Sequence, residues 1–218
     1  MDSIVRLIRV PALISLGVTL LRLIGELNHW SPALFNREAG GGGALVGIAW
    51  LVPVFGVYFA LKLAQSRAEP LKAGKTVLYA AAALVSFLVI GFGGMRALGL
   101  DPNTPSFTSF LLFVVGSAVS SVIAYLGSPA LGKVLLAYGL AARIPVAIVM
   151  LVAMIGNWGT HYDVAPPGFP EMGVFARWLM IGLVPQLTVW IAFTIVLGCL
   201  FGGLALALFR PKPTLQTA

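Results

Sequence analysis

The residues from Arg143 to Asp163 read RIPVAIVMLVAMIGNWGTHYD and place charged groups at both ends of an apolar run. A run of this length fits a helix in a lipid bilayer, whose hydrocarbon core takes about 20 apolar residues to span. The run begins at an arginine and ends in a His-x-Asp pair, His161 and Asp163. Ionisable side chains are scarce in the rest of the chain. This segment therefore predicts both a membrane fold and the place of a functional site.

The composition of the whole chain supports a membrane protein. Of its 218 residues, 59% are hydrophobic and 10% are charged, and the mean hydropathy is +0.99. A soluble domain of this size has too little interior to hide so much apolar surface, so lipid must solvate it. The net charge is +7, but the basic residues are thinly spread, without interleaved aromatic residues. This distribution favours loop charges beside a membrane and predicts no nucleic-acid partner.

Apolar windows of about 20 residues recur along the chain and predict an all-α bundle of about six transmembrane helices. The predicted spans, within a single domain over residues 1–210, are 4–27, 44–64, 76–98, 107–126, 130–160 and 175–209. Residues 211–218 are predicted to be a short cytoplasmic tail. The last span, about 35 residues or roughly 50 Å of helix, is too long for one upright crossing of about 30 Å. It predicts either an additional interfacial helix before a crossing from about Gln186, or one tilted and kinked helix.

The basic residues also predict an orientation. One side of the predicted bundle collects nine of the fourteen Lys and Arg residues: Arg6, Arg9, Lys62, Arg67, Lys72, Lys75, Lys133, Arg210 and Lys212. Because cytoplasmic loops carry an excess of Lys and Arg, both termini are predicted to be cytoplasmic and the membrane to be a cell inner membrane. The outer side then holds both histidines and most of the carboxylates.

Arg143 has two predicted positions. If one helix covers the fifth window, Arg143 lies near the bilayer midplane, where an arginine costs several kcal/mol and usually marks a functional interior. If residues 129–142 form a surface helix and the crossing starts at Pro145, Arg143 is instead an anchor at the inner face. The sequence leaves both positions open.

A glycine run, Gly40 to Gly43, leads into the second window. Consecutive glycines let backbone amides point at a ligand, and the dipole at a helix N-terminus favours negative charge. We therefore expect an outward-facing polar cavity that binds or passes a small anionic or lipid-like ligand. A flexible connector is the alternative for the run itself. The predicted binding residues are Arg22, Arg37, Gly41, Gly42, Arg96, Arg143 and Trp158.

Glu26, His29, His161 and Asp163 form a second set of chemical groups at the predicted outer end. Glu26 and His29 have the E-x-x-H spacing, which puts both on one helical edge. If the first and fifth helices are neighbours, the four groups converge around a divalent cation such as zinc or iron, or serve as acid/base groups of an enzyme. The alternatives are an Arg22–Glu26 ion pair across one turn and two solvated histidines bonded to local carboxylates.

Small residues predict where helices approach one another, and they leave the state of assembly open. Gly198 and Gly202 form a G-x-x-x-G pattern, which fits either a homodimer contact or packing within the chain. Cys199 is the single cysteine and is predicted to be an inert buried thiol. Besides membrane lipid, the predicted partners are a second copy of the chain or a larger membrane complex. In such a complex the protein would be a non-catalytic subunit that buries its polar residues against a partner.

Overall fold

The computed structural model describes residues 2–42, 44–66, 71–101 and 104–209, and all regular secondary structure in these ranges is helical. Within these ranges, five helices are long and apolar enough to cross a membrane, and one shorter apolar helix accompanies them. The helical membrane bundle predicted from the composition is therefore confirmed. The predicted tail, 211–218, lies outside the described residues. The helices are α1 (Asp2–Leu27), α2 (Leu51–Gln65), α3 (Ala73–Ala97), α4 (Phe107–Gly127), α5 (Pro129–Gly156) and α6 (Val174–Phe209).

The second helix starts later than the sequence predicts. Residues 44–50 are irregular, and α2 begins at Leu51, so the predicted span 44–64 is wrong at its start. Glycine has a low helix propensity, and the segment follows the glycine run. Non-helical backbone at membrane depth is tolerated where it lines a cavity. The segment from Ala44 to Trp50 supplies five residues to the wall of the cavity described below.

Helix α5 is one continuous helix of 28 residues with Pro145 inside it. The alternative in which residues 129–142 form a separate surface helix is therefore wrong. Arg143 lies near the middle of α5, about 20 Å from each end at about 1.5 Å per residue. This depth makes the arginine the buried charge to be explained.

Helix α6 is also long, and its regular α-helical geometry is interrupted at two places. It contains a π-helical segment, Trp178–Leu183, and a break at Thr188, whose backbone angles are φ −118° and ψ −75°. The structure thus has one kinked helix from residue 174 to 209 where a separate interfacial helix was one of two expectations. A second π-helical segment, Val89–Gly93, lies in α3. Such segments occur frequently at functional sites.

Close packing between α2 and α6 involves both glycines of the G-x-x-x-G pattern. A Cβ atom on Gly56 would lie 2.6 Å from the Cα atom of Gly198, and one on Gly202 would lie 2.8 Å from the carbonyl oxygen of Gly56. Glycine permits this approach because it has no side chain, and lipid supplies no hydrophobic force that would hold the helices together. The pattern therefore serves packing within the chain. Cys199, between the two glycines, is fully buried, as the sequence predicts.

Helix α1 packs along α5 and brings its polar residues to the same end of the bundle as the end of α5. The hydroxyls of Ser15 and Tyr138 lie 2.8 Å apart, and the Tyr162 hydroxyl donates to the carbonyl oxygen of Thr19 at 3.2 Å. We call the end of the bundle at which α1 and α5 finish the His161 end. The opposite side of α1 exposes large apolar side chains, as a lipid-facing surface should: Val10, Leu13, Ile14, Leu20, Leu21 and Ile24.

Candidate functional site

Asp163 folds the turn that follows α5. The turn begins at Asn157, which ends α5 in the left-handed region at φ 49°. The Asp163 carboxylate accepts hydrogen bonds from the backbone N–H groups of Gly159 and Thr160, at 2.9 and 2.7 Å, and from the Thr160 hydroxyl at 2.6 Å. Because both carboxylate oxygens accept hydrogen bonds within the turn, Asp163 fixes the backbone that carries His161.

Glu26 connects this turn to α1. Its side chain is fully buried, and Oε1 accepts from Arg22 Nε at 2.8 Å and lies 2.5 Å from His161 Nδ1. The other oxygen, Oε2, accepts from the backbone N–H of His161 at 2.9 Å. We call Arg22, Glu26 and His161 the Glu26 cluster. The sequence-based pairing of Arg22 with Glu26 is thus present, with His161 as a third member.

Arg22 extends the Glu26 cluster to the glycine run. Its Nη2 atom donates to the carbonyl oxygens of Asn36 and Gly41, at 3.2 and 2.9 Å. One buried arginine therefore holds α1, the glycine run and, through Glu26, the turn after α5. All three segments meet at the His161 end, so the cluster joins them there.

His161 is neutral at neutral pH. Burial lowers the pKa of His161 below its ordinary value, and the positive charge of Arg22 acts in the same direction, whereas the hydrogen bond that His161 donates to Glu26 raises the pKa. A neutral imidazole carries one N–H group, and a carboxylate can only accept. The proton therefore lies on Nδ1, which donates to Glu26, and Nε2 is left as an acceptor. Burial also raises the pKa of the neighbouring Tyr162, which keeps its phenol protonated.

The four predicted metal ligands do not come together. His29 is exposed, and its Nδ1 atom lies 2.7 Å from Arg37 Nη1, whereas Asp163 is used within its own turn. Only Glu26 and His161 meet, and the Glu26 oxygen that contacts His161, Oε1, also accepts a hydrogen bond from Arg22. Across the described ranges, no group of three His, Cys, Asp or Glu side chains is placed to hold a metal ion. The structure therefore does not form the predicted metal centre.

A cavity of about 440 Å³ lies beneath the Glu26 cluster. It reaches from the glycine run at the His161 end to Arg143 in the middle of α5. Its wall combines backbone from the glycine run with polar and aromatic side chains. These side chains come from α1, α5 and α6, from the loop before α2 and from the loop after α5. The polar and aromatic side chains are Thr19, Arg22, Trp50, Arg143, His161, Tyr162, Gln186 and Trp190.

Arg143 is a buried cation with an unused donor. Its residue is 5% exposed, and its Nη1 atom makes one long contact, 3.5 Å, with Oε1 of Gln186. The guanidinium lies over the ring of Trp190, 4.3 Å from its centroid, in a cation–π arrangement. The Nη2 atom is buried, and no atom of the described residues accepts a hydrogen bond from it. Buried polar groups normally have a partner, so this donor requires an explanation.

The glycine run does not form the predicted cradle of amides at a helix N-terminus. Helix α2 starts at Leu51, well beyond the run. The carbonyl oxygen of Gly41 accepts from Arg22, and that of Gly42 accepts from Asn36 Nδ2 at 2.6 Å. Both glycines line the cavity, but the hydrogen bonds that hold them in place are accepted by their carbonyl groups. Its backbone therefore forms part of the cavity wall and not an anion-binding helix end.

Three other predicted binding residues lie away from the cavity, and all three are exposed. Arg37 contacts His29, Arg96 lies near the end of α3, and Trp158 follows α5. None of the three is among the described residues that line the cavity. The sequence interpretation also missed Gln186 and Trp190, which flank Arg143. Polar and aromatic side chains inside the last apolar window were the signal that could have identified both.

The Glu26 cluster and the cavity are the features that a functional assignment must explain. The cluster joins three segments at one end of the bundle, and the cavity below it contains an arginine without a counter-ion among the described residues. No protein-family model, curated protein or solved structure matches the chain.

Proposed function

We propose that this membrane protein binds the anionic group of a small ligand in the cavity beside Arg143. The observation that carries the proposal is the unpartnered Nη2 atom of this buried arginine. A carboxylate or phosphate oxygen would supply the missing acceptor. Arginine is well suited to this role, because its planar guanidinium forms strong paired hydrogen bonds with both groups.

The charges around the cavity support an anionic ligand. Glu26 is already paired with Arg22, so its negative charge is not available to Arg143. Among the residues that the structure describes, the cavity wall contains no carboxylate. An unpaired charge is expensive at membrane depth, and such residues mark ligand or ion sites. A bound anion would compensate the charge of Arg143 where the chain itself does not.

The loops above the cavity suggest how the ligand reaches Arg143. The glycine run and the turn after α5 cover the cavity, and the Glu26 cluster holds them together. We propose that these two loops open and close over the site, so that the protein binds or passes its ligand at the His161 end. The same proposal places the chain in the inner membrane of a cell, with both termini in the cytoplasm. The His161 end then faces outward.

A test of the proposal compares a charged ligand with its neutral analogue. Octanoate and octanamide would be titrated against the purified protein in phosphatidylcholine nanodiscs by calorimetry. We expect octanoate to bind and octanamide to bind at least about tenfold more weakly, since a hydrogen bond to a charged group contributes roughly 1.5–3 kcal/mol. Arg143→Gln should weaken octanoate binding by a similar factor. Arg96→Gln, which removes an exposed arginine away from the cavity, is the matched control and should change nothing.

Two results would contradict the proposal. One is equal binding of octanoate and octanamide, and the other is full octanoate affinity in Arg143→Gln. If neither compound binds and alanine is tolerated throughout the Glu26 cluster, a non-catalytic subunit that buries these groups against a partner becomes the better explanation.

His161 favours a second candidate function, acid/base catalysis at the His161 end. Its ring lines the cavity, and Glu26 fixes the orientation of the ring through Nδ1. An oriented imidazole is a common general base. The enzyme hypothesis based on Glu26, His29, His161 and Asp163 is thereby reduced to the pair Glu26 and His161. Ligand binding that survives in His161→Gln, with loss of any turnover of the bound compound, would support this second function.

A further inference from the structure

An apolar groove adjoins the cavity at Trp190. The groove has a volume of about 260 Å³ and lies between α3, α4 and α6. Trp190 lines both the groove and the cavity. The hydroxyl of Ser120, a polar group in the groove wall, already donates to the carbonyl oxygen of Ser117 at 3.1 Å. Apolar side chains form the rest of the groove wall, among them Phe87, Val189, Phe193 and Leu197.

The groove meets the cavity beside Arg143. Trp190 lines both spaces, and the centroid of its ring lies 4.3 Å from the Arg143 guanidinium carbon. From Trp190 the groove continues along α6 to Leu197, which is roughly 10 Å further at about 1.5 Å per residue. A molecule can therefore occupy cavity and groove together without crossing the bundle lengthwise.

We propose that the ligand is a single-chain amphiphilic acid, whose anionic end binds Arg143 and whose apolar chain lies in the groove beyond Trp190. This inference rests on the proposed function. The Trp190 ring marks the boundary, because it contacts the guanidinium by a cation–π interaction and also forms part of the apolar wall. A wholly polar anion would leave the groove unused. A groove of this volume, lined by residues that lie within the membrane spans, fits one short chain and not the two chains of a phospholipid.

The experiment varies the ligand chain and the groove independently. Acetate and octanoate would be titrated against wild type, Val189→Phe and Leu197→Trp in phosphatidylcholine nanodiscs. Both substitutions enlarge half-buried groove residues. Leu204→Trp, on an exposed face of the same helix α6, is the matched control. Because partition into the bilayer is common to all variants, the ratio between wild type and variant isolates the groove.

We expect octanoate to bind wild type more tightly than acetate does, and each groove variant to weaken octanoate binding by at least about tenfold. The expected size follows from the loss of several buried methylene contacts. Acetate binding should stay within about twofold in every variant that retains Arg143, since a difference of that size is under about 0.5 kcal/mol. If the groove variants bind octanoate as well as wild type, while Arg143→Gln still weakens it, the groove inference is wrong and the anion site stands. If Arg143→Gln has no effect on either acid, the proposed function itself fails.

A second measurement uses the unaltered protein and so does not depend on the folding of variants. Octanoate with a diazirine at its chain end would be photo-crosslinked in nanodiscs and its adducts mapped by mass spectrometry. Adducts on Phe193, Leu197 or Phe87 are expected. Adducts spread over the exposed face of α1 would overturn the inference. A phosphatidylglycerol carrying the same label, used in parallel, separates a free acid from a lipid headgroup. Stronger groove labelling by this lipid would also overturn the single-chain assignment.

Discussion

Glu26 Oε1 lies 2.5 Å from His161 Nδ1, although 135 residues separate the two in the chain. The contact joins the end of α1 to the turn after α5 and lies at the edge of the cavity. Since the same carboxylate pairs with Arg22, which also binds the glycine run, one acidic side chain connects three segments. Its removal should therefore affect both the stability of the bundle and the cover over the cavity.

Glu26→Ala is expected to lower the free energy of unfolding by about 3 kcal/mol, because breaking a buried ion pair leaves an uncompensated charge. Here the charge left behind belongs to Arg22, whose side chain is 10% exposed. Unfolding in sodium dodecyl sulfate, followed by circular dichroism, measures the change. Arg22→Met in the Glu26→Ala background should recover part of the loss. A double variant no more stable than Glu26→Ala alone would contradict this account of the pair.

The pH dependence of stability should report on His161. Burial lowers the pKa of this imidazole in the folded protein, so below the ordinary value of about 6.5 the unfolded chain binds a proton that the folded chain refuses. Stability is then present above about pH 6.5 and falls as the pH decreases through the unfolded-state value. Thermal melts between about pH 5 and 8 measure the slope. His161→Asn should flatten it, and His29→Asn, at an exposed histidine, should not.

Much of the fold could be predicted from hydropathy, because lipid imposes a simple length rule on apolar helices. That rule predicts α1 and α4 to within a few residues. It fails at residues 44–50, which are apolar enough for a helix but line a cavity as irregular backbone. Hydropathy reports affinity for lipid and carries no information on which apolar segment is folded around a cavity.

The candidate site could be predicted only in part, because spacing reveals neighbours within one helix and not across helices. Arg22 and Glu26, four residues apart, were a predictable pair, whereas the contact of Glu26 with His161 depended on α1 and α5 being adjacent. The Asp163 carboxylate, a predicted metal ligand, instead accepts hydrogen bonds within its own turn. The depth of Arg143 was also undecided, since Pro145 was as compatible with a helix start as with a helix interior.

Asp163→Ala is expected to loosen the turn after α5. The substitution leaves the buried N–H of Thr160 and the N–H of Gly159 without their acceptor, which costs about 1–3 kcal/mol for an unsatisfied buried donor. Hydrogen exchange read by mass spectrometry should accelerate over residues 159–163 and stay unchanged in α4. Asp163→Asn retains one acceptor oxygen and should give an intermediate rate. An unchanged exchange rate in Asp163→Ala would show that the carboxylate does not fold the turn.

Gly56→Ala and Gly17→Ala should separate close helix packing from helix propensity. A Cβ atom on Gly56 would lie 2.6 Å from backbone atoms of Gly198 in α6, whereas one on Gly17 would meet no atom within 4 Å. We expect Gly56→Ala to destabilise the protein by about 1–3 kcal/mol through overpacking. Gly17→Ala should change stability by less than about 1 kcal/mol, the propensity difference between the two residues. Unfolding in sodium dodecyl sulfate measures both, and similar losses in the two variants would contradict the packing of α2 against α6.

Arg143→Met should stabilise the empty protein while it weakens octanoate binding. Arg143 contributes a cation–π contact with Trp190 and one long hydrogen bond, worth about 0.5–2 kcal/mol together. Against this, an arginine at the centre of a membrane helix costs about 2.5–3.5 kcal/mol on insertion scales. Methionine fills a similar length without charge, so the unfolding free energy should rise by about 0.5–3 kcal/mol, the difference between these terms. Octanoate should reduce or reverse this difference in stability, because the wild type binds it more tightly and therefore gains more stability from it. An Arg143→Met protein that is less stable than wild type without ligand would mean that the arginine is retained for structure and not for binding.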